Sequence, residues 1–441
     1  MASSSWVVPA LGSLLTGLSP WQHGAGAAPR TALAPELETV AESLAGAGYR
    51  SAGYLGGLWM RADGSWHQGF DELRDLGLGH RAEGHLASLG DPEAAERQFL
   101  WIHLRQPSPP YERHDELRGQ LPPLPAEFLD ALPHRIGVAD LERWADPSQP
   151  LPYEERRRIV NLYRYGVAYA DQRLGRLLAA LRGSGRWDDT LVVVTALHGE
   201  ELGDYRGTGS AGSLGRALVE VPLVVKLPRS LWGVEDDRPI AEPLTRRVAL
   251  ARVPATLAQA VGASLPAAAA PSLFVREAGG VLSELYARNG YNEFSWLEDD
   301  GGGGDTAEGA WQLVQRSRFA PPEPDYHRAR LAAYGVPVPG FAAPPGRVLD
   351  RVEAAFAAAP PLTGAAGMAG ERTLLRWTRD GVETVDDPPR AAAMAARLER
   401  RWGSFEGCER TPAAEAARRD TERAAAGLGR AASGIRPAPP H

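Results

Sequence analysis

The most constraining feature of the chain is a junction between two periodicities. Across residues 154–182, apolar side chains recur at Val160, Tyr163, Val167, Ala170, Leu174, Leu177 and Leu181, with arginines between them. That 3-4 spacing lines one stripe of an α-helix. Gly183 and Gly185 stop the pattern, and Leu191-Val192-Val193-Val194-Thr195 follows at once. A β-branched run directly after a long amphipathic helix predicts a buried parallel strand, because parallel strands need a crossover and are covered on both faces. Pro35 suits the first position of another helix, through Leu37, Val40, Leu44 and Ala47, which Gly48 closes. Residues 49–58, 99–104 and 221–225 read as further strands, and residues 253–261 as a helix. Residues 105–153 are proline-rich and read as a long loop with short helices. Strands alternating with helices predict an α/β fold, a mostly parallel sheet flanked by helices.

Composition removes several function classes. Cys408 is the only cysteine, so neither an intrachain disulfide nor a cysteine metal site is available. The formal charge is −7 without a concentrated basic block, which argues against nucleic acid as the main partner. No run approaches the 18 apolar residues of a membrane span, so no integral membrane segment is expected. Residues 6–18 are apolar, but Pro9 and Gly12 interrupt them and the first basic residue is Arg30, so a signal peptide is not expected. After about residue 275 the pattern changes: a glycine loop at 301–304, a β-ribbon over 374–385 turned at Asp380-Gly381, and a helix over 391–402. The expected organisation is an α/β domain over 1–275, a small C-terminal α+β subdomain over 276–405, and an Ala/Arg/Pro-rich tail over 406–441.

In α/β sheets, ligands gather beyond the carboxyl ends of the strands. The informative loop therefore follows Val194 and carries His198, Glu200 and Glu201. One histidine and two carboxylates there suit a metal or acid/base site, or equally a solvated loop. Residues 191–203 resemble the Asp-His-Gly loop of the sulfatase family, in the alkaline-phosphatase superfamily. Ser13-Leu14-Leu15-Thr16-Gly17 with His23-Gly24 is similar to the segment that follows that family's nucleophile. Gln68-Gly69-Phe70-Asp71, Trp101-Ile102-His103-Leu104, Val221-Pro222-Leu223-Val224-Val225, and residues 248–262 and 374–387 match further landmarks in the right order.

The resemblance implies an alkaline-phosphatase-type fold, and a mechanism with a nucleophile, a divalent cation such as calcium held by carboxylates, and basic groups around the ester. Counted from these landmarks, the nucleophile position falls on Val7 and the family's arginine on Leu11. The metal-binding aspartate of the Asp-His-Gly loop falls on Leu197, leaving His198 as the retained catalytic position. The aspartate and histidine of a later segment fall on Gln106 and Ser108, although Pro107, Pro110 and Tyr111 persist. A lysine or histidine ahead of Val221-Pro222 falls near Ser210. The family's first strand, with an Asp-Asp metal pair, would precede residue 1; an upstream start would restore that pair but not Val7, Leu11 or Leu197.

Other candidates read as structural. Ser5 lies two residues from Val7, about 7 Å of extended chain, too far to substitute without a register shift. His103 and His23 read as packed core or turn histidines. Gly207-Thr208-Gly209-Ser210-Ala211-Gly212 spells G-x-G-x-x-G but lacks the strand immediately before and the long helix after. Asp299-Asp300 reads as a solvated loop. The sequence thus predicts a sulfatase-like pseudoenzyme with no metal or other cofactor and a binding or accessory role. The alternative is a metal-dependent sulfuric or phosphoric ester hydrolase using rearranged residues. Neither a partner nor a compartment is assigned.

Overall fold

The computed structural model describes residues 1–23, 25, 33, 35–56, 66–75, 81–91, 97–117, 133–137, 140–141, 151–203, 208–210, 214–231, 247–266, 269–275, 281–285, 291–299, 310–318, 371–377 and 382–402. In chain order its main elements begin with helices α1 (Val7–Thr16) and α2 (Val40–Gly46) and strands β1 (Arg50–Leu55) and β2 (Glu72–Asp75). Helix α3 (Arg81–Ser88), strand β3 (Gln98–His103) and the long helix α4 (Tyr153–Gly183) follow. Strands β4 (Val192–Thr195) and β5 (Leu223–Lys226) precede helix α5 (Val253–Ala260). The C-terminal part holds β6 (Val281–Leu285), β7 (Tyr291–Asp299), β8 (Ala310–Arg318), β9 (Glu371–Trp377), β10 (Val382–Thr384) and helix α6 (Pro388–Trp402).

Strand β1 is the centre of a parallel sheet, with β2 on one side and β3 on the other. Alternation along β1 sends its side chains to two different cores. Ala52 and Tyr54 pack with Ala82 and Leu86 of α3 and with Leu177 and Leu181 of α4. Leu55 joins the opposite cluster, built on Trp6, Val8, Leu11 and Leu15 at α1 and on Trp66, Leu214, Leu218 and Val219. Leu14, on another side of α1, packs with Leu250 and Val253. Pro9 sits in the first turn of α1, where a proline costs no hydrogen bond. The apolar run at 6–18 is thus a buried core helix.

Three sequence expectations are corrected. The α2 helix starts at Val40, because Thr39 forms a capping box with Glu42; Pro35 lies outside it. Strand β4 is half-buried and pairs antiparallel with β5, Val192 opposite Lys226 and Thr195 opposite Leu223. An apolar run reports burial, not direction, and residues 196–222 bring the chain back alongside. On α4, the buried residues in the first half are Ile159, Asn161, Leu162, Tyr165 and Gly166, while Val167 is exposed. The helix serves two partners: Tyr111, Ile136 and Leu141 at its start, and β1 with α3 at its end. No single stripe satisfies both.

The ribbon expected over 374–385 is present as β9 and β10, paired with Leu375 opposite Thr384, although Asp380 and Gly381 lie outside the described residues. It is the end of a five-stranded antiparallel meander, β6 to β10 in order, whose first three strands the sequence reading missed. Buried Gln312 of β8 donates from Nε2 to the Leu214 carbonyl at 2.9 Å, tying this sheet to the α1 core. The 301–304 loop, Asp300 and the 406–441 tail also lie outside the described residues. Among the described residues no helix is long and apolar enough to cross a membrane.

Gly69 has φ +79°, and a Cβ there would lie 2.5 Å from the backbone nitrogen of Glu42. Gly46, at the end of α2, has open space around it. Gly69→Ala is expected to destabilise by roughly 2–5 kcal/mol, while Gly46→Ala is neutral or stabilising by up to about 1 kcal/mol. Urea denaturation of the two variants checks the contrast.

Candidate functional site

The carboxyl ends of β1, β3 and β4 bring together the residues that the sequence reading placed at a reaction centre. Leu55 and His103 are register neighbours at the ends of β1 and β3. The loop after Thr195 brings His198 close enough for its charge to act on His103. His103 is half-buried, and its Nδ1 is shielded from solvent without a hydrogen-bond partner. Burial first, and His198 second, depress its pKa to about 4, so it is neutral at pH 7. His198 Nδ1 lies 2.7 Å from the Gly199 carbonyl. A carbonyl only accepts, so Nδ1 carries the proton in that contact.

The loop holding His198 is rigidly seated. Gly199 donates its N–H to the Leu218 carbonyl at 2.7 Å, and a Cβ there would lie 1.9 Å from the Ala217 carbonyl oxygen. Only glycine allows this approach. Leu197, next to it, packs half-buried against the same apolar cluster that holds fully buried Leu11. Val7 is the first residue of α1 and is half-buried.

The remaining positions lie on other segments. Gln106 and Ser108 belong to the proline turn after β3, where Ser108 N–H donates to the Arg105 carbonyl at 3.0 Å. Arg105 reaches on to Glu112 at 3.2 Å. Ser210 lies in a bend just after Thr208-Gly209, which pair antiparallel with Glu201-Leu202. That ribbon, followed by the short helix Arg216–Val219, replaces the strand–loop–helix that a nucleotide-binding glycine motif requires. His23 is structural: it accepts from Ala25 N–H at Nδ1, 3.0 Å away, so Nε2 carries the proton and faces the Pro9 carbonyl and Ser13 Oγ, each at 3.1 Å. Burial lowers its pKa to about 3.

Sequence reasoning missed the partner of Glu200. Its carboxyl is buried and accepts from the Tyr111 hydroxyl at 3.0 Å through Oε2, while Oε1 has no hydrogen-bond partner. Burial raises its pKa to about 8, and the Tyr111 hydrogen bond only partly counters that, so Glu200 is protonated at pH 7. Tyr163 stands edge-on to Tyr111 at 6.0 Å and completes the aromatic enclosure. Glu200 and Tyr111 are 89 positions apart, so no local pattern pairs them.

With this geometry in view, comparison with known proteins gives a consistent class. The chain shares the fold of the phosphonate monoester hydrolase of Silicibacter pomeroyi, with a TM-score of 0.50 at 18% identity, covering 91% of this chain and 85% of that one. More particularly, residues 85–232 match the family model described as Sulfatase, which bears out the sulfatase-family resemblance read from the sequence. A "Sulfatase" of Formosa agariphila is 28% identical over 122 residues, 27% of this chain and 24% of that protein. The "Multifunctional alkaline phosphatase superfamily protein PehA" of Trinickia caryophylli is 45% identical over 72 residues, 16% of this chain and 14% of that protein. The similarity to these two curated relatives thus spans a quarter of their length or less.

The buried acid has a measurable consequence. Folded Glu200 holds its proton up to about 8 whereas an unfolded glutamate releases it near 4.5. The folded state binds more protons between those values, so Glu200 lowers stability progressively as pH rises through that window. Glu200→Gln removes this penalty. The stability of the variant relative to the parent is expected to climb with pH by a few kcal/mol in total, read from urea midpoints at several pH values. A pH-independent difference would contradict the assignment.

Proposed function

We propose that this chain is a sulfatase-like protein that does not turn over sulfate or phosphate esters and that serves a binding or accessory role. The observation that supports this most is the apolar setting of both Leu11, inside the α1 cluster, and Leu197, packed against it. By the resemblance, an arginine and a metal-binding aspartate belong at those positions. Neither leucine offers a lone pair or an N–H donor. Val7, at the nucleophile position, has no lone pair with which to attack sulfur or phosphorus. Oxyanion stabilisation, nucleophile and metal ligand are thereby removed together, which are the three contributions the chemistry needs.

The residues at the strand ends also do not fit the family's cation. Calcium takes six to eight oxygen ligands, mostly carboxylate or carbonyl. Leu197 presents carbon, His103 and His198 present nitrogen, and Glu200 is a neutral acid bonded to Tyr111.

The rival reading, an ester hydrolase with rearranged residues, draws on Ser5. Its hydroxyl is fully buried two residues before Val7 and has no hydrogen-bond partner. A serine acts as a nucleophile only with a base or cation beside it. For Ser5 the hydrogen bonds name neither.

The expected outcome with purified protein is no hydrolysis of aryl sulfates, aryl phosphates or phosphonate monoesters in calcium, magnesium, manganese or zinc. Metal analysis should find no stoichiometric ion, and none of these ions should shift the melting temperature. Turnover that is lost in Ser5→Ala or His198→Ala, with the fold intact by circular dichroism, would establish the rival.

A further inference from the structure

The face of the parallel sheet turned away from α1 carries a cavity of about 370 Å³. Strand periodicity and register assemble it. Arg50 and Tyr54 of β1 share one face, and in the parallel register Ala52 lies beside Glu72 and Tyr54 beside Arg74. Helix α3 roofs this face and directs Arg81 and His85, one turn apart, toward the same space. The Tyr54 hydroxyl meets His85 Nδ1 at 2.6 Å, and Gln98 hydrogen-bonds the same imidazole.

Three guanidinium groups and one carboxylate line this cavity. Glu72 pairs with Arg74, and with Arg50 at 3.7 Å. Burial lowers the pKa of His85 and raises that of Tyr54, so both are neutral at pH 7.5. The fixed charge inside is therefore +2, in a chain whose net charge is −7. Three solvent-exposed arginines line this one polar recess beside the buried Tyr54. A planar guanidinium presents paired N–H donors that match two oxygens of a tetrahedral anion. The volume is near the lower end of the roughly 300–1,000 Å³ typical of small-molecule sites.

We propose that this recess binds the phosphate group of a small phosphate monoester, held by Arg50, Arg74 and Arg81, with Tyr54 and His85 contacting the adjoining polar atoms. A phosphate monoester carries close to two negative charges at pH 7.5 and balances the recess, whereas a sulfate monoester carries one. The site is on the opposite sheet face from the α1 cluster, so it does not depend on whether the strand-end residues turn over esters.

Isothermal titration at pH 7.5 and constant ionic strength tests it with glucose 6-phosphate, inorganic phosphate and glucose 6-sulfate as probes. The expected result is saturable binding of the two phosphates, with the sulfate ester weaker by about tenfold or more. Arg81→Ala and Arg74→Ala should each weaken phosphate binding by about tenfold or more. Arg158→Ala, at a half-buried α4 residue that lies outside the recess and pairs with Glu155, should leave it unchanged. Melting curves confirm that each variant is folded, and Arg81→Glu, which keeps a helix-forming residue, gives a second test at that position. The proposal is overturned by absence of saturable phosphate binding, by equal affinity for the sulfate ester, or by unchanged binding in folded Arg81→Glu.

Discussion

Val8, Leu11 and Leu15 of α1 are fully buried against Leu55, Trp66, Leu214 and Leu218, while Leu14 packs on Leu250 and Val253. These contacts draw in strand β1, the loop at 214–219 and helix α5 from widely separated parts of the chain. Each fully buried leucine contributes roughly 1.5–3 kcal/mol, so the cluster around α1 is a large share of what opposes chain entropy. Its position decides where the strand-end loop lies, because Leu197 packs on the same cluster and Gly199 is bonded to Leu218. Gln312 then ties the antiparallel sheet to Leu214.

Under the proposed function, that arrangement gives a physical account of how a sulfatase-type scaffold persists with a changed site. A buried ion pair or metal cluster is costly to desolvate, and replacing its members together by apolar groups is often neutral or stabilising. Removing only one member would strand an unpaired charge. Under the same reading, Leu11 inside the apolar cluster and Leu197 packed against it are such joint replacements.

His23, His103 and Glu200 are each held neutral at pH 7. His23 and His103 are neutral because their protonated forms are disfavoured by burial, and Glu200 because its ionised form is. Their linkage to stability has opposite sign. The histidines bind protons more readily when unfolded and so weaken the fold as pH falls below about 6.5, whereas Glu200 weakens it as pH rises above 4.5.

Much of the fold was legible because periodicity reports burial directly. The long helix, strands β1, β3, β4 and β5, and the final ribbon were all readable from apolar spacing and glycine or proline stops. What the sequence by itself determined was therefore which residues are apolar, where helices and strands form, and which family pattern they resemble. Only the tertiary structure decided the rest: the antiparallel direction of β4 against β5, the two partners of α4, the Tyr111–Glu200 bond, and the convergence of Arg50, Arg74 and Arg81. The physical reason is range. Helix and strand signals act over a few residues, whereas strand direction, burial of a carboxyl and assembly of a charged recess depend on contacts between segments tens of positions apart, which no local pattern encodes.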